Sequence, residues 1–250
     1  MGVGASMAAL LPHQPNRSLI DGLGVLQALT ASREPVGSRG LARQLGLEPT
    51  RTNRLLKTLA HLGLAQQDAE RRYAVGPAIH VLAAQSIRAS GLVGRAIEPL
   101  RALERFRFIT AMGVLWRTEV CYIYYATPGA TVAQSLGSRD PHPATTSGLG
   151  LALLAQCDDE EIRRRYADQP IAGYPDPHAL LARIAEVRRD GYALTTTERS
   201  PTGTIAIAMG RPAYVALGLA GEIEPDQGDA YVAALRDAAR RIEGETAATA

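Results

Sequence analysis

The sequence predicts an α+β chain in two parts: a winged helix-turn-helix, then a helical connector leading into a domain of mixed helices and antiparallel strands. Three observations carry that prediction. Three amphipathic helical segments and a hairpin pattern follow one another within residues 17–76. A largely helical stretch occupies 77–107. From 108 to 250, β-prone runs alternate with helical segments and several pair as hairpins.

Residues 1–16, MGVGASMAALLPHQPN, are expected to form a disordered tail. RSLIDGLGVLQALTAS then places Leu19, Leu23, Leu26 and Leu29 at helical spacing, with Ser18 as the expected N-cap. REPVG breaks that helix. SRGLARQLGL restarts with Ser38 as a cap and Leu41, Ala42 and Leu45 on one face, and Gly46 supplies a left-handed stop. Pro49 suits the first turn of the third helix, because its missing N–H would be unpaired there anyway. In that helix Leu55, Leu56, Leu59 and Leu62 form a stripe, while Thr50, Arg54, Lys57, Thr58 and His61 stack on the opposite face. Gly63 ends it, and LAQQ and RRYAV read as a hairpin around Asp68, Ala69 and Glu70.

The connector has a weak point at Ser90-Gly91, with Pro99 expected at the start of a new helix. FITAMGVLW and VCYIYYA flank Arg117, Thr118 and Glu119 as a hairpin, and TVAQSL is expected to add a strand. A helix follows from about Ser147. DDEEIRRRYA has acidic residues at its positive end, and PHALLARIAEVRRDG is a further helix. YALTTT, TIAIAM and AYVALGLAG read as strands before the closing amphipathic helix DQGDAYVAALRDAARRI.

Composition bounds what such a chain can do. With 250 residues, 46% apolar and 21% charged, it has material for real cores. The net charge is +2, yet Arg17 to Arg72 holds nine basic and five acidic residues, a surplus of +4 that leaves −2 elsewhere. Positive charge therefore concentrates on the helix-turn-helix. All but one of the basic residues are arginine, which makes arginine counts uninformative; the single lysine, Lys57, lies in the third helix. Two cysteines, Cys121 and Cys157, are too few for a disulfide framework or a tetrahedral metal site, so a reducing cytoplasm is expected and no metal or cofactor. No apolar run reaches the roughly 18 residues of a spanning helix, and the N-terminus lacks the basic region of a signal peptide. Met1-Gly2 with Ser6 matches the loose myristoylation pattern, but nothing nearby supplies the second signal that stable anchoring needs. No membrane partner is expected.

In order and spacing, SLIDGLGVLQAL, GLARQLGLEPTRTNRLLKTLAHLGL, RRYAVGPAIHVLA, TTSGLGLALLA, VRRDGYAL and YVALGLAG resemble the IclR family of bacterial transcriptional regulators. The similarity runs from about Arg17 to Ile242 and is densest over the first ninety residues. It implies a winged helix, a helical linker and a GAF-like effector domain with an antiparallel sheet, assembled as a homodimer or tetramer. It implies binding to double-stranded operator DNA, with a small-molecule effector modulating affinity. Repression of a catabolic operon is the expected sign. The chain departs from the family in two places. ERFRFIT lacks the usual Gly-Glu-Thr turn before the first effector-domain strand, and GRPA replaces a longer hairpin.

An α-helix fits the major groove, where short polar side chains near the helix N-terminus read base edges. Thr50, Arg51, Thr52 and Asn53 occupy that turn and are the expected base and nearby phosphate contacts. Arg54, Lys57 and Thr58 lie a turn further on, with Arg54 and Lys57 as phosphate clamps. Ser38 and Arg39, and the wing residues Arg71 and Arg72, are expected to touch the DNA backbone. His61 is only a polar residue at the helix end.

For the effector, the resemblance places the loop groups at Gly148 and Leu149, an acidic position at Thr195, a cysteine position at Ile205, serine positions at Gly218 and Ala220, and a lysine position at Leu151. These polar positions are thus depolarised. Thr145, Thr146, Ser147 and Thr195 to Thr197 still offer hydroxyls. Met112, Val114 and Trp116 alternate on one strand, and Tyr122 and Tyr124 on the next. Since a charged ligand needs convergent donors, the expected effector is larger, and neutral or aromatic. Two rival readings remain open: a ligand-independent DNA-binding scaffold, and a cysteine-dependent GAF-like enzyme. No G-x-S-x-G elbow, phosphate-cradling glycine loop or H-E-x-x-H pair favours catalysis.

Overall fold

The computed structural model describes residues 16–167, 169–197, 200–224 and 227–244. Residues 1–15 of the expected disordered tail, with its Met1-Gly2-Ser6 pattern, lie outside the described residues, as does the side chain of Thr197, whereas Asn16 is described. The chain divides between Ser90 and Gly91 into two compact units.

The first unit contains α1 (Arg17–Ala31), β1 (Val36–Gly37), α2 (Ser38–Leu45), α3 (Pro49–His61), β2 (Ala65–Gln67), β3 (Arg72–Val75) and α4 (Ala78–Ser90). Its strands form an antiparallel sheet in the order β1-β3-β2. REPVG therefore supplies a short strand as well as a break. Two capping expectations shift by a residue or two. Asn16, not Ser18, caps α1 by accepting the Leu19 N–H at 3.1 Å. Ser38 is the first helical residue of α2, after a Gly37 that caps from extended backbone alone. Gly46 takes φ +64° and its N–H closes the end of α2, a left-handed turn that lets α3 start three residues later. Glu48 caps α3 by accepting the Arg51 N–H, and Pro49 opens the helix as expected.

Val25, Leu29, Leu41, Leu45, Leu56, Leu59 and Tyr73 form the core of this unit. The predicted stripe of α3 is displaced along the helix. Leu62, which ends the helix, is exposed, and Thr52 is buried one turn before Leu56.

The second unit opens with α5 (Leu92–Ala102), which starts directly after Gly91 at φ +60°. Pro99 consequently lies inside α5 and is buried, rather than starting a helix. A 3₁₀ turn, Leu103–Phe106, leads into β4 (Ile109–Trp116) and β5 (Glu119–Ala126), the expected hairpin. There follow α6 (Val132–Ser135), β6 (His142–Pro143), α7 (Gly148–Leu154), α8 (Asp159–Arg165), α9 (Pro177–Asp190), β7 (Ala193–Thr197), β8 (Ser200–Gly210), β9 (Ala213–Glu222) and α10 (Gly228–Glu243). TVAQSL is thus a helical turn and not a strand. Thr131 and Gln134 form a reciprocal capping box that outweighs the β-branched residues beside it.

The six strands run antiparallel in the order β6-β5-β4-β9-β8-β7. Side chains alternate across this sheet. One face carries Met112, Tyr124, Ile205, Leu217 and Leu219 into a core shared with α5 and α10. The other carries Ala111, Ala206 and Ala216 toward α7, α8 and α9. Small residues on that second face leave room near its centre.

Candidate DNA-binding surface and ligand cavity

In the first unit, α3 is held by the burial of Leu56 and Leu59 against α1 and α2. That packing fixes which side chains face outward. Thr50, Arg54, Lys57, Thr58 and His61 are exposed, and Asn53 is half-exposed. Among the described residues no carboxylate pairs with Arg54 or Lys57. The Thr58 hydroxyl donates to the Arg54 carbonyl at 3.0 Å, so it is partly engaged by its own helix.

Two of the expected readers are placed otherwise. Thr52 is wholly buried, and its hydroxyl donates to the Glu48 carbonyl at 3.1 Å. It is corrected from a base contact to a core residue, because it stands one helical turn before Leu56. Arg51 forms a 2.7 Å ion pair with Asp21, which ties α3 to α1 and commits its guanidinium within the unit. On α2, Ser38 is half-exposed and Arg39 exposed, with Arg43 exposed one turn on. Arg43 was not singled out in the sequence, although its i+4 spacing from Arg39 could have marked it. On the wing, Arg71 is exposed at the hairpin turn with φ +62°. Arg72 is also exposed and pairs with Asp68 at 3.0 Å and Glu70 at 3.6 Å.

In the second unit a cavity of about 140 Å³ lies between the sheet and the start of α7. Of the expected effector residues, Thr146, Ser147, Gly148, Leu149, Gly218 and Ala220 line it. Gly218 belongs here because a Cβ would stand 2.5 Å from the Leu149 side chain. Met112, Tyr124 and Ile205 do not line it; all three are buried on the opposite face of the sheet. Trp116, at the end of β4, is exposed. Thr195 lies opposite Thr204 on the cavity side of the sheet and outside the lining.

The tyrosines show why. Met112 pairs with Tyr124 but Gly113 pairs with Tyr122, so a β-bulge leaves Ile123 without a partner in the ladder. Past the bulge the alternation inverts, and Tyr125 joins Tyr122 on the cavity side while Tyr124 turns away.

The lining also contains groups absent from the sequence-based expectation: Tyr125, Arg139, His142 and Thr204. The Arg139 guanidinium lies 4.6 Å from the Tyr125 ring centre and 5.7 Å from that of Tyr122. The two rings meet edge to face at 5.5 Å. His142 Nε2 lies 3.1 Å from the Thr146 hydroxyl. Burial and then the charge of Arg139 lower the His142 pKa from its ordinary 6.5. Ser147 caps α7 by accepting the Gly150 N–H at 3.4 Å, and its hydroxyl is 3.4 Å from that of Tyr122. The cavity thus holds polar side chains beyond the positions that the family resemblance marks as depolarised. The cavity is small, and donors converge on it from β5, β8 and the segment before α7.

Both cysteines are poor nucleophiles. Burial, with Glu119 assisting, raises the Cys121 thiol, and burial first and Glu161 next push Cys157 up to about 11. Among the described residues there is no cluster of metal-ligating side chains, and no helix is long and apolar enough to cross a membrane.

Residues 18–69 match the model of the IclR helix-turn-helix domain. The HTH-type transcriptional regulator BhcR of Paracoccus denitrificans is 30% identical over 168 residues, 64% of this chain and 60% of that relative, so the match falls short of two thirds of its length. The solved structure of a putative IclR transcriptional regulator from a Silicibacter species superposes with a TM-score of 0.76 at 25% identity, over 91% of this chain and 95% of the other. An IclR homolog from Microbacterium hydrocarbonoxydans, solved in complex with 4-hydroxybenzoate, shares the fold with a TM-score of 0.64 at 22% identity, over 93% of this chain and 100% of the other.

Proposed function

We propose, from the IclR helix-turn-helix match and the likeness to IclR-family regulators, that the chain is a transcriptional regulator of that family whose winged helix holds operator DNA and whose second unit senses a small ligand. The observation that carries the first half is the outward face of α3. Thr50, Asn53, Arg54, Lys57 and Thr58 present amide, hydroxyl and cationic groups on one side, as a helix in the major groove requires. Thr50 and Asn53 read bases; Arg54 and Lys57 hold phosphates; Arg39, Ser38 and Arg71 support the register from α2 and the wing.

The cavity beside α7 is the effector site, supported by its convergent polar lining and by the bound aromatic acid in the Microbacterium homolog of the same fold. Its small volume suits a metabolite, and with it repression of a catabolic operon that the ligand relieves. The assembly is a homodimer or tetramer. Helix α4 has no buried residue and exposes Val81, Leu82 and Ile87, an apolar surface that a second copy would cover.

The test is a fluorescence-anisotropy titration of the intact chain on DNA flanking its own gene, beside a shuffled duplex, with transcription measured in a deletion strain. Tighter binding to the flanking DNA and raised transcription on deletion are expected. Equal binding to both duplexes would overturn the regulator reading, and lowered transcription would overturn repression.

A further inference from the structure

Among the described residues, the cavity lining contains one permanently charged side chain, Arg139, and no aspartate or glutamate. Arg139 reaches the cavity from the segment between α6 and β6, and its guanidinium rests over the two tyrosine rings that form one wall. An exposed cation–π contact of this kind is weaker than a charge-assisted, forked pair with a carboxylate. The guanidinium is therefore placed to exchange a ring for an anionic group without crossing the cavity. The neighbouring imidazole of His142 is held toward its neutral form by burial and by Arg139 itself, so it adds no second full charge at neutral pH. Thr146, Ser147 and Thr204, with the two tyrosines, are the other polar residues of the lining. The volume of about 140 Å³ is close to the roughly 150 Å³ of a protein cavity that holds benzene.

Resting on the reading of this cavity as the effector site, we infer that Arg139 selects the charge of the effector: the ligand is a small planar monoanion, its carboxylate paired with Arg139 and its flat body against Tyr122 and Tyr125. A single cation matches a single negative charge, and among the described lining residues a second carboxylate would meet no further cation. Recognition of the anion has thus passed to a side chain outside the positions at which the family resemblance placed polar groups. Arg139 lies on the exposed rim, so its replacement leaves both cores of the unit intact.

The experiment is calorimetric titration of the full chain with benzoate and with benzamide, its uncharged isostere. Benzoate is expected to bind tighter by about tenfold or more, the scale of one charge-assisted hydrogen bond. Arg139→Gln should erase that preference, and Arg139→Lys should keep part of it, because lysine retains the charge without the fork. Equal affinities in the unmodified chain, or a preference unchanged in Arg139→Gln, would overturn the inference, as would the absence of saturable benzoate binding. Ala220→Leu, which fills the cavity, separates the two levels. Benzoate binding that survives it shows that the cavity is not the site. Binding that Ala220→Leu abolishes but that is equal for benzoate and benzamide leaves the site standing and removes the role of Arg139.

Discussion

Helix α3 and strand β5 each carry a row of chemically useful side chains, and they respond differently to a local irregularity. On α3 an error of placement is graded, because successive residues turn by about 100°. Misjudging the stripe by one turn buried Thr52 and exposed Leu62 but left Thr50, Arg54 and Lys57 where the periodicity put them. On β5 it is all or nothing, since side chains alternate and one extra residue sends everything beyond it to the other face. Tyr124 and Tyr125 exchange roles for that reason alone. A helical surface survives approximate reading, whereas a strand-lined cavity does not.

The largest effect is expected in the α3 core, where Leu56→Ala should cost about 2–5 kcal/mol in chemical denaturation. A loss below about 1 kcal/mol would mean that α3 is not seated by its leucines. Next, Tyr125→Ala should weaken benzoate binding by about tenfold, the scale of one aromatic contact. Tyr124→Phe should leave binding unchanged in the same calorimeter, and the reverse pattern would remove the bulge from the account. A smaller effect is expected of Thr52→Val. The Glu48 carbonyl keeps the Thr52 N–H at 2.9 Å, so removal of the hydroxyl leaves no acceptor stranded. Stability should change by less than about 1 kcal/mol, with operator selectivity intact; relaxed selectivity would return Thr52 to the readers.

The smallest effect concerns His142. Its folded pKa lies below the ordinary 6.5 of the unfolded chain, so between those values the unfolded state binds more protons. The corresponding stability is fully present above pH 6.5 and is lost as the pH falls toward the folded pKa. Proton NMR should show the His142 ring titrating below 6.5. Titration above that value would contradict the burial and the proximity of Arg139.

Much of the fold follows from periodicity and punctuation. Gly46, Pro49, Gly63 and Gly91 stand where helices stop and start, and the β4–β5 hairpin brackets Arg117 and Thr118. The elements that escaped are short ones. β1 and β6 are two residues each and exist because a partner strand lies beside them, which no local pattern records. α6 did leave a signal, the T-x-x-Q of its capping box, masked by neighbouring β-branched residues.

The site divides along the same line. The outward face of α3 is periodic and could be read directly. The loop groups Gly148 and Leu149 and the small positions Gly218 and Ala220 of β9 all line the cavity, because α7 and β9 are regular beside it. Position-by-position transfer failed at Ile205, where the cavity-facing residue is its neighbour Thr204, and it could not supply Arg139. That residue reaches the cavity through an irregular segment whose path depends on tertiary packing.

On the proposed reading, the exposed side of α3 is the DNA-reading surface and its buried side the anchor. The most direct test is the salt dependence of operator affinity, measured by anisotropy for the unmodified chain, for Thr52→Val and for Arg54→Ala combined with Lys57→Ala. The double variant is expected to abolish tight binding and to lower the slope of log affinity against log salt by about two, one for each phosphate that is no longer neutralised. Thr52→Val should superpose on the unmodified chain. An unchanged slope and affinity in the double variant would contradict the assignment of α3.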